Sequence, residues 1–216
     1  MRRAATAPGR AGRIIGQLFK KMGRSLIGDY RLNRIYKLEL ESFEPPPLTA
    51  SFQLRRITGD DIERSPMAAL RARSSYDGEN AMGFGVFDDG ALVGTCWFWN
   101  HRRFKDESLW PLRDREAVLV DLLTCESHRG RGMAPAVTAF AAGALKKAGY
   151  ETLYASVWHS NRPSIRSFEK AGWSYAAFVV NVEAPITRRP IRWCRWVENE
   201  AGRPRQSGYG LVGKST

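Results

Sequence analysis

With 216 residues, 43% hydrophobic and 11% aromatic, the chain can bury one sizeable core but not several. Its formal net charge of +12 is uneven: residues 1–37 hold ten Lys/Arg against the single acid Asp29, while the rest carries 24 basic and 21 acidic residues. A nearly neutral body argues against a broad nucleic-acid-binding face, and no apolar run is long enough for a transmembrane helix.

Cys96, Cys125 and Cys194 are too few for a disulfide framework and lack metal-ligand spacing with the His residues, so reduced thiols, a cytoplasmic setting and no metal are expected.

In chain order, residues 1–13 are rich in Arg, Ala and Gly and are expected to be disordered. From Ile14, the apolar residues Ile15, Leu18, Phe19, Met22, Leu26 and Ile27 recur at helical spacing, with Lys20, Lys21 and Arg24 opposite. Such a basic amphipathic helix over residues 13–28 has three readings: peripheral contact with an anionic inner membrane surface, packing on the body or a partner chain, or a targeting peptide. Tyr30–Glu41 suits a strand or extended arm, and Pro45-Pro46-Pro47 a stiff linker. The expected division is an extension at 1–47, a domain at 48–200 and a flexible tail at 201–216.

Within the body, Phe52–Ile57 alternates as a first strand, and Thr58 with Asp60 and Asp61 starts a helix that Pro66 interrupts. Gly83–Phe87 and Ala91–Trp99 flank the hairpin signal Asp88-Asp89-Gly90, and a charged loop, His101–Arg115, follows. Ala117–Thr124 is nearly all apolar, as a strand covered on both faces should be. Met133–Ala148 is a helix with Lys146, Lys147 and Gly149 at its end; Thr152–Trp158 is a strand, Arg162–Ala171 a helix, and Ser174–Glu183 and Pro190–Glu198 two last strands.

The stretch from Ala117 to Ala148 organises the rest. An apolar strand entering a helix through Arg129-Gly130-Arg131-Gly132-Met133-Ala134 is a phosphate site in outline, because amide donors and the positive end of the helix dipole converge there. Gly130 and Gly132 permit close approach, and Arg129 and Arg131 add charge.

The string DLLTCESHRGRGMA, followed by LYASVWHSNRPSIRSFEKAGW, resembles the two signature motifs of the GCN5-related N-acetyltransferase (GNAT) family. Arg129, Gly132 and Ala134 fall on the fixed places of its cofactor turn, and Asn161, Ser164 and Gly172-Trp173 on those of its second motif. Phe168 stands where the family carries a Tyr that often serves as general acid. The resemblance is sharp over Val118–Trp173. It implies an α/β (α+β mixed-sheet) fold: a central, mostly antiparallel sheet with one splayed parallel strand pair and helices on both faces.

It further implies that acetyl-CoA is the co-substrate. The turn from Arg129 to Ala134 would hold its pyrophosphate, the backbones of Leu122, Leu123, Thr124 and Cys125 would pair with its pantetheine arm by strand addition, and Asn161 and Ser167 would contact it. Acyl transfer to an amine needs a base and a protonated or stabilised leaving thiolate. Asp121, in the central strand, reads either as that base or as a structural acceptor, and Glu126 as an alternative acting through water or as solvated surface. Phe168 has no proton to give, which leaves Tyr154, Ser167, His159 or a water as the acid. Cys125 as a covalent nucleophile lacks a His–carboxylate partner, so direct transfer in a ternary complex is the simpler expectation. The acceptor, an amine on a small molecule, sugar or protein terminus, is not encoded by any motif, and both monomer and homodimer remain open. The alternative is a non-catalytic CoA- or partner-binding module on the same fold.

Overall fold

The computed structural model describes residues 29–47, 52–105, 110–183 and 191–197. The expected basic helix, part of the loop after His101, the connection after Glu183 and the C-terminal tail lie outside them.

Eight strands form one sheet: β1 (Asp29–Glu39), β2 (Gln53–Ile57), β3 (Ala81–Asp88), β4 (Ala91–Asn100), β5 (Glu116–Thr124), β6 (Thr152–Trp158), β7 (Ser174–Glu183) and β8 (Ile191–Trp196). They lie in the order β2-β3-β4-β5-β6-β1-β7-β8. Only β5 and β6 run parallel; every other neighbouring pair is antiparallel. The helices are α1 (Gly59–Glu63), α2 (Ala68–Arg71), α3 (His101–Phe104), α4 (Met133–Lys147) and α5 (Arg162–Lys170).

The position of β1 corrects the expected domain boundary. β1 lies inside the sheet, paired with β6 from Asn33 to Glu39 and with β7 from Asp29 to Lys37. A strand bonded on both edges belongs to the folded body, and Pro45–Pro47 only leads from it to β2. A bulge between Ile35 and Tyr36 sits mid-strand, and both side chains are fully buried, toward different core clusters.

One face of the sheet carries α4 and α5. Val137, Ala141 and Leu145 of α4 and Ile165 and Phe168 of α5 pack there against Leu38, Phe84, Phe98, Leu119, Leu153 and Val157. Burying each of the larger of these side chains contributes roughly 1.5–3 kcal/mol. The other face holds two clusters. In the first, Ile62 and Leu70 of α1 and α2 cover Ile57, Phe87 and Trp97; in the second, Trp110 and Phe104 cover Val118, Tyr154, Ala177 and Val179. Local signals set the helix ends. The Thr58 amide donates to Asp61 at 3.0 Å in a capping box, Asn161 Oδ1 accepts from the Ser164 amide, and Gly149 and Gly172 follow α4 and α5 at positive φ.

Candidate active site

The site begins at a bulge in β5. Opposite β4, Asp121 pairs with Trp97 and Leu119 with Phe98, so Val120 is the extra residue. Beyond it, β5 follows β4 as far as Thr124 opposite Gly94. Its pairing with β6 has already ended at Leu119 opposite Ala155, while β6 stays with β1 out to Trp158. The two parallel strands therefore part, and among the described residues no strand lies against the edge of β5 from Asp121 to Thr124 that faces β6.

A cleft of about 710 Å³ opens on the α4–α5 face beside this gap. Leu122, Leu123 and Thr124 form one wall, Asn161, Ser167 and Phe168 another, and Arg129, Gly130, Gly132, Met133 and Ala134 close the end. Gly130 and Gly132 have φ of +78° and +75°, and a Cβ built on either would meet nothing within 4 Å. Glycine is required there by the left-handed backbone, not by crowding. The turn leads into α4, whose first-turn amides have no intrahelical acceptor. Arg129 braces it, its Nε donating to the Thr124 carbonyl at 3.3 Å. These donors and the helix dipole make this end of the cleft a site for an anion such as a diphosphate.

Ten of the twelve residues expected to bind the cofactor line this cleft; Cys125 and Arg131 do not. The Cys125 amide donates to the Val93 carbonyl at 2.9 Å, its carbonyl accepts from His128, and burial raises its thiol, with Arg129 pulling the other way. Its backbone is committed to the fold, and its thiol is a poor nucleophile. Arg131 turns away from the cleft, with Nη1 2.6 Å from Asp88 Oδ2. His128 Nε2 lies 3.6 Å from the same oxygen, and its Nδ1 is 2.8 Å from Ser127 Oγ.

The expected catalytic residues fall on the far face of the sheet. Tyr154, read as an acid, is a core residue: 1% exposed, packed against Trp110 and Trp196, its hydroxyl donating to Glu116 Oε1 at 3.4 Å. Its strand neighbours Leu153 and Ala155 face the helices, so Tyr154 faces away from the cleft. That geometry removes it from the candidate acids. Asp121 also faces away from α4, beside Trp97, but at the parting of the strands. Its Oδ1 lies 3.3 Å from Arg73 Nη1, and its Oδ2 is buried with no hydrogen-bond partner among the described residues. Burial pushes the pKa of its carboxyl up from the ordinary carboxylate value, and Arg73 draws it back. His159 does not line the cleft, and Glu126 is exposed, with Oε1 3.8 Å from Arg129. Phe168 does line it, wedged between Tyr36 and Trp173.

Sequence reasoning missed Arg73 and Asp88, each joined to its partner only through the fold. It also missed His128 and Thr138, which line the cleft. Among the described residues, no group of three or more His, Cys, Asp or Glu is placed to hold a metal ion, and no helix is long and apolar enough to cross a membrane.

A parted parallel strand pair beside a glycine turn at a helix N-terminus is an arrangement whose shape and donors suit an extended, phosphate-bearing ligand. The chain belongs to the Acetyltransferase (GNAT) family, whose model matches residues 32–173, from within β1 to the end of the second motif. Among solved structures it resembles a tandem GNAT protein from the clavulanic acid biosynthesis pathway, with 18% identity, TM-score 0.52, and coverage of 84% of this chain and 60% of that one. A GCN5-related N-acetyltransferase from Kribbella flavida aligns at 14% identity and TM-score 0.51, covering 80% of this chain and 65% of that one. One from Sphaerobacter thermophilus aligns at 17% and 0.52, covering 78% and 56%. In each case the chain spans less than two thirds of the solved one, and at these identities the likeness shows the fold. No curated protein matched the chain.

Proposed function

We propose that the chain is an N-acyltransferase that moves an acetyl group from acetyl-CoA to an amine by direct transfer in a ternary complex. The observation that carries this is the unpaired β5 edge from Asp121 to Thr124 running into the Gly130–Gly132 turn. An edge of amides and carbonyls suits the two amides of a pantetheine arm, and the turn suits a diphosphate. Leu122, Leu123 and Thr124 pair with the arm, the turn amides with Arg129 take the diphosphate, and Asn161 and Ser167 close over it from α5. When bound, acetyl-CoA supplies the acyl group activated as a thioester.

Asp121 lies just past the last β5–β6 pair, so on this reading a donor in the cleft and an acceptor on the Asp121 face meet where the two strands part. Asp121 receives the proton that the acceptor amine must lose. With Tyr154 in the core and Phe168 inert, the leaving thiolate is protonated by Ser167 or by water. The test is release of free thiol from acetyl-CoA against a panel of amines. Turnover with at least one amine, lost in Asp121→Asn, supports the reading.

The lack of a tyrosine on the cleft favours one second reading, a module that binds CoA without turning it over. Tight CoA uptake with no thiol release on any amine would select it.

A further inference from the structure

The carboxylate of Asp121 has 9% of its side chain exposed, and one of its two oxygens is held by a residue outside the motifs. Arg73 follows α2, keeps 36% of its side chain exposed, and lies with its guanidinium 5.9 Å from the Tyr76 ring centroid. We propose that Arg73 is a positioning residue for the transfer: it pins Oδ1 of Asp121, keeps the carboxylate charged, and leaves Oδ2 as the one oxygen offered to the acceptor amine.

Two opposing forces act on the Asp121 carboxylate. A carboxylate this far from water, on a strand opposite Trp97, is driven toward its neutral acid, which cannot accept a proton. A guanidinium at 3.3 Å drives it the other way, and its half-open position spares Arg73 the full cost of burial. Among the described residues, the charged group that acts on Asp121 is Arg73, from the segment after α2, while the Cys96 thiol of β4 feels the Asp121 charge in turn. Burial pushes that thiol far up, so it stays neutral and leaves Arg73 as the charge. Oδ2 is buried and unpaired, a cost that an incoming N–H donor would relieve. The acceptor ammonium gives one proton to Oδ2, Asp121 becomes neutral, and the freed lone pair is available for attack. The proton then passes to solvent, and no further reagent is needed.

This inference rests on the reading of Asp121 as proton acceptor, but its test does not depend on coenzyme A. The full-length protein is labelled with 13C at the Asp side-chain carboxyl, the Asp121 signal is assigned by its loss in Asp121→Asn, and its shift is followed against pH. In Arg73→Met, and in the neutral near-isostere Arg73→Gln, the midpoint should rise by about one pH unit or more, and Arg73→Lys should return most of it. Whichever neutral variant folds decides the matter: a midpoint equal to that of the wild type would overturn the proposal. A chain that takes up no coenzyme A would instead sink the acyltransferase reading and leave this titration standing.

Discussion

The Arg131 guanidinium lies 2.6 Å from the Asp88 carboxylate of the β3–β4 hairpin, against 3.8 Å between Arg129 and the exposed Glu126, so Arg131 is the more firmly balanced of the two cations in the glycine turn before any ligand arrives. The two arginines of the turn are therefore unequal. Arg129→Glu should weaken coenzyme A binding about tenfold or more, whereas Arg131→Gln should change it by no more than about threefold, since the Arg131 charge is already met by Asp88. Asp88→Asn frees Arg131 and should tighten binding about two- to threefold at low salt, with the gain fading at high salt. Calorimetric titrations at two salt concentrations check all three.

Gly132 sits at φ +75° where α4 begins. Gly132→Ala should cost about 1–2 kcal/mol of stability, because the left-handed conformation disfavours any Cβ. A thermal melt should show a fall of a few degrees. Affinity for coenzyme A should fall as well in the folded fraction, because the added methyl points into the open space of the turn.

Gly83 answers to packing instead. A Cβ there would lie 2.5 Å from the Trp97 ring and 2.9 Å from Ile57. Gly83→Ala should destabilise by about 1–3 kcal/mol in urea unfolding while leaving coenzyme A affinity per folded molecule unchanged.

Two aspartates give opposite dependences of stability on pH. Burial raises Asp121 in the folded state, so its stabilising contribution is full below its unfolded value of 3.8 and is lost as pH rises through the folded value. The stability of Asp121→Asn relative to the wild type should therefore improve from about pH 4 to neutrality. Asp61 is lowered, first by its hydrogen bond from Arg55 and further by the Thr58 amide, so its contribution is present above 3.8 and lost as pH falls through the folded value. Asp61→Asn should be less stable than the wild type at neutral pH and should converge with it in acid. Denaturant midpoints across pH for both variants test the two signs.

Much of the site was legible because its determinants are local. The strand into Thr124, the glycine turn, α4 with Gly149 behind it, and Asn161 at the start of α5 were expected within a residue or two, and the structure joins them around one cleft. The rest depended on pairings between distant parts of the chain. Nothing in Tyr30–Glu41 says that it lies between β6 and β7, because a strand's neighbours are chosen by the sheet. Alternation shows that Tyr154 opposes Leu153 and Ala155, but only the helices' placement shows which face bears the cleft. Arg131 reads as a phosphate ligand until the hairpin brings Asp88 to it.

The central claim is that the amides of the Gly130–Gly132 turn and the free edge of β5 hold coenzyme A. Isothermal calorimetry of coenzyme A with the wild type and with Gly132→Val, the variant's fold checked by circular dichroism, tests it most directly. One-to-one uptake by the wild type, weakened about tenfold or more in the variant, is predicted; no uptake, or equal uptake by both, would contradict it.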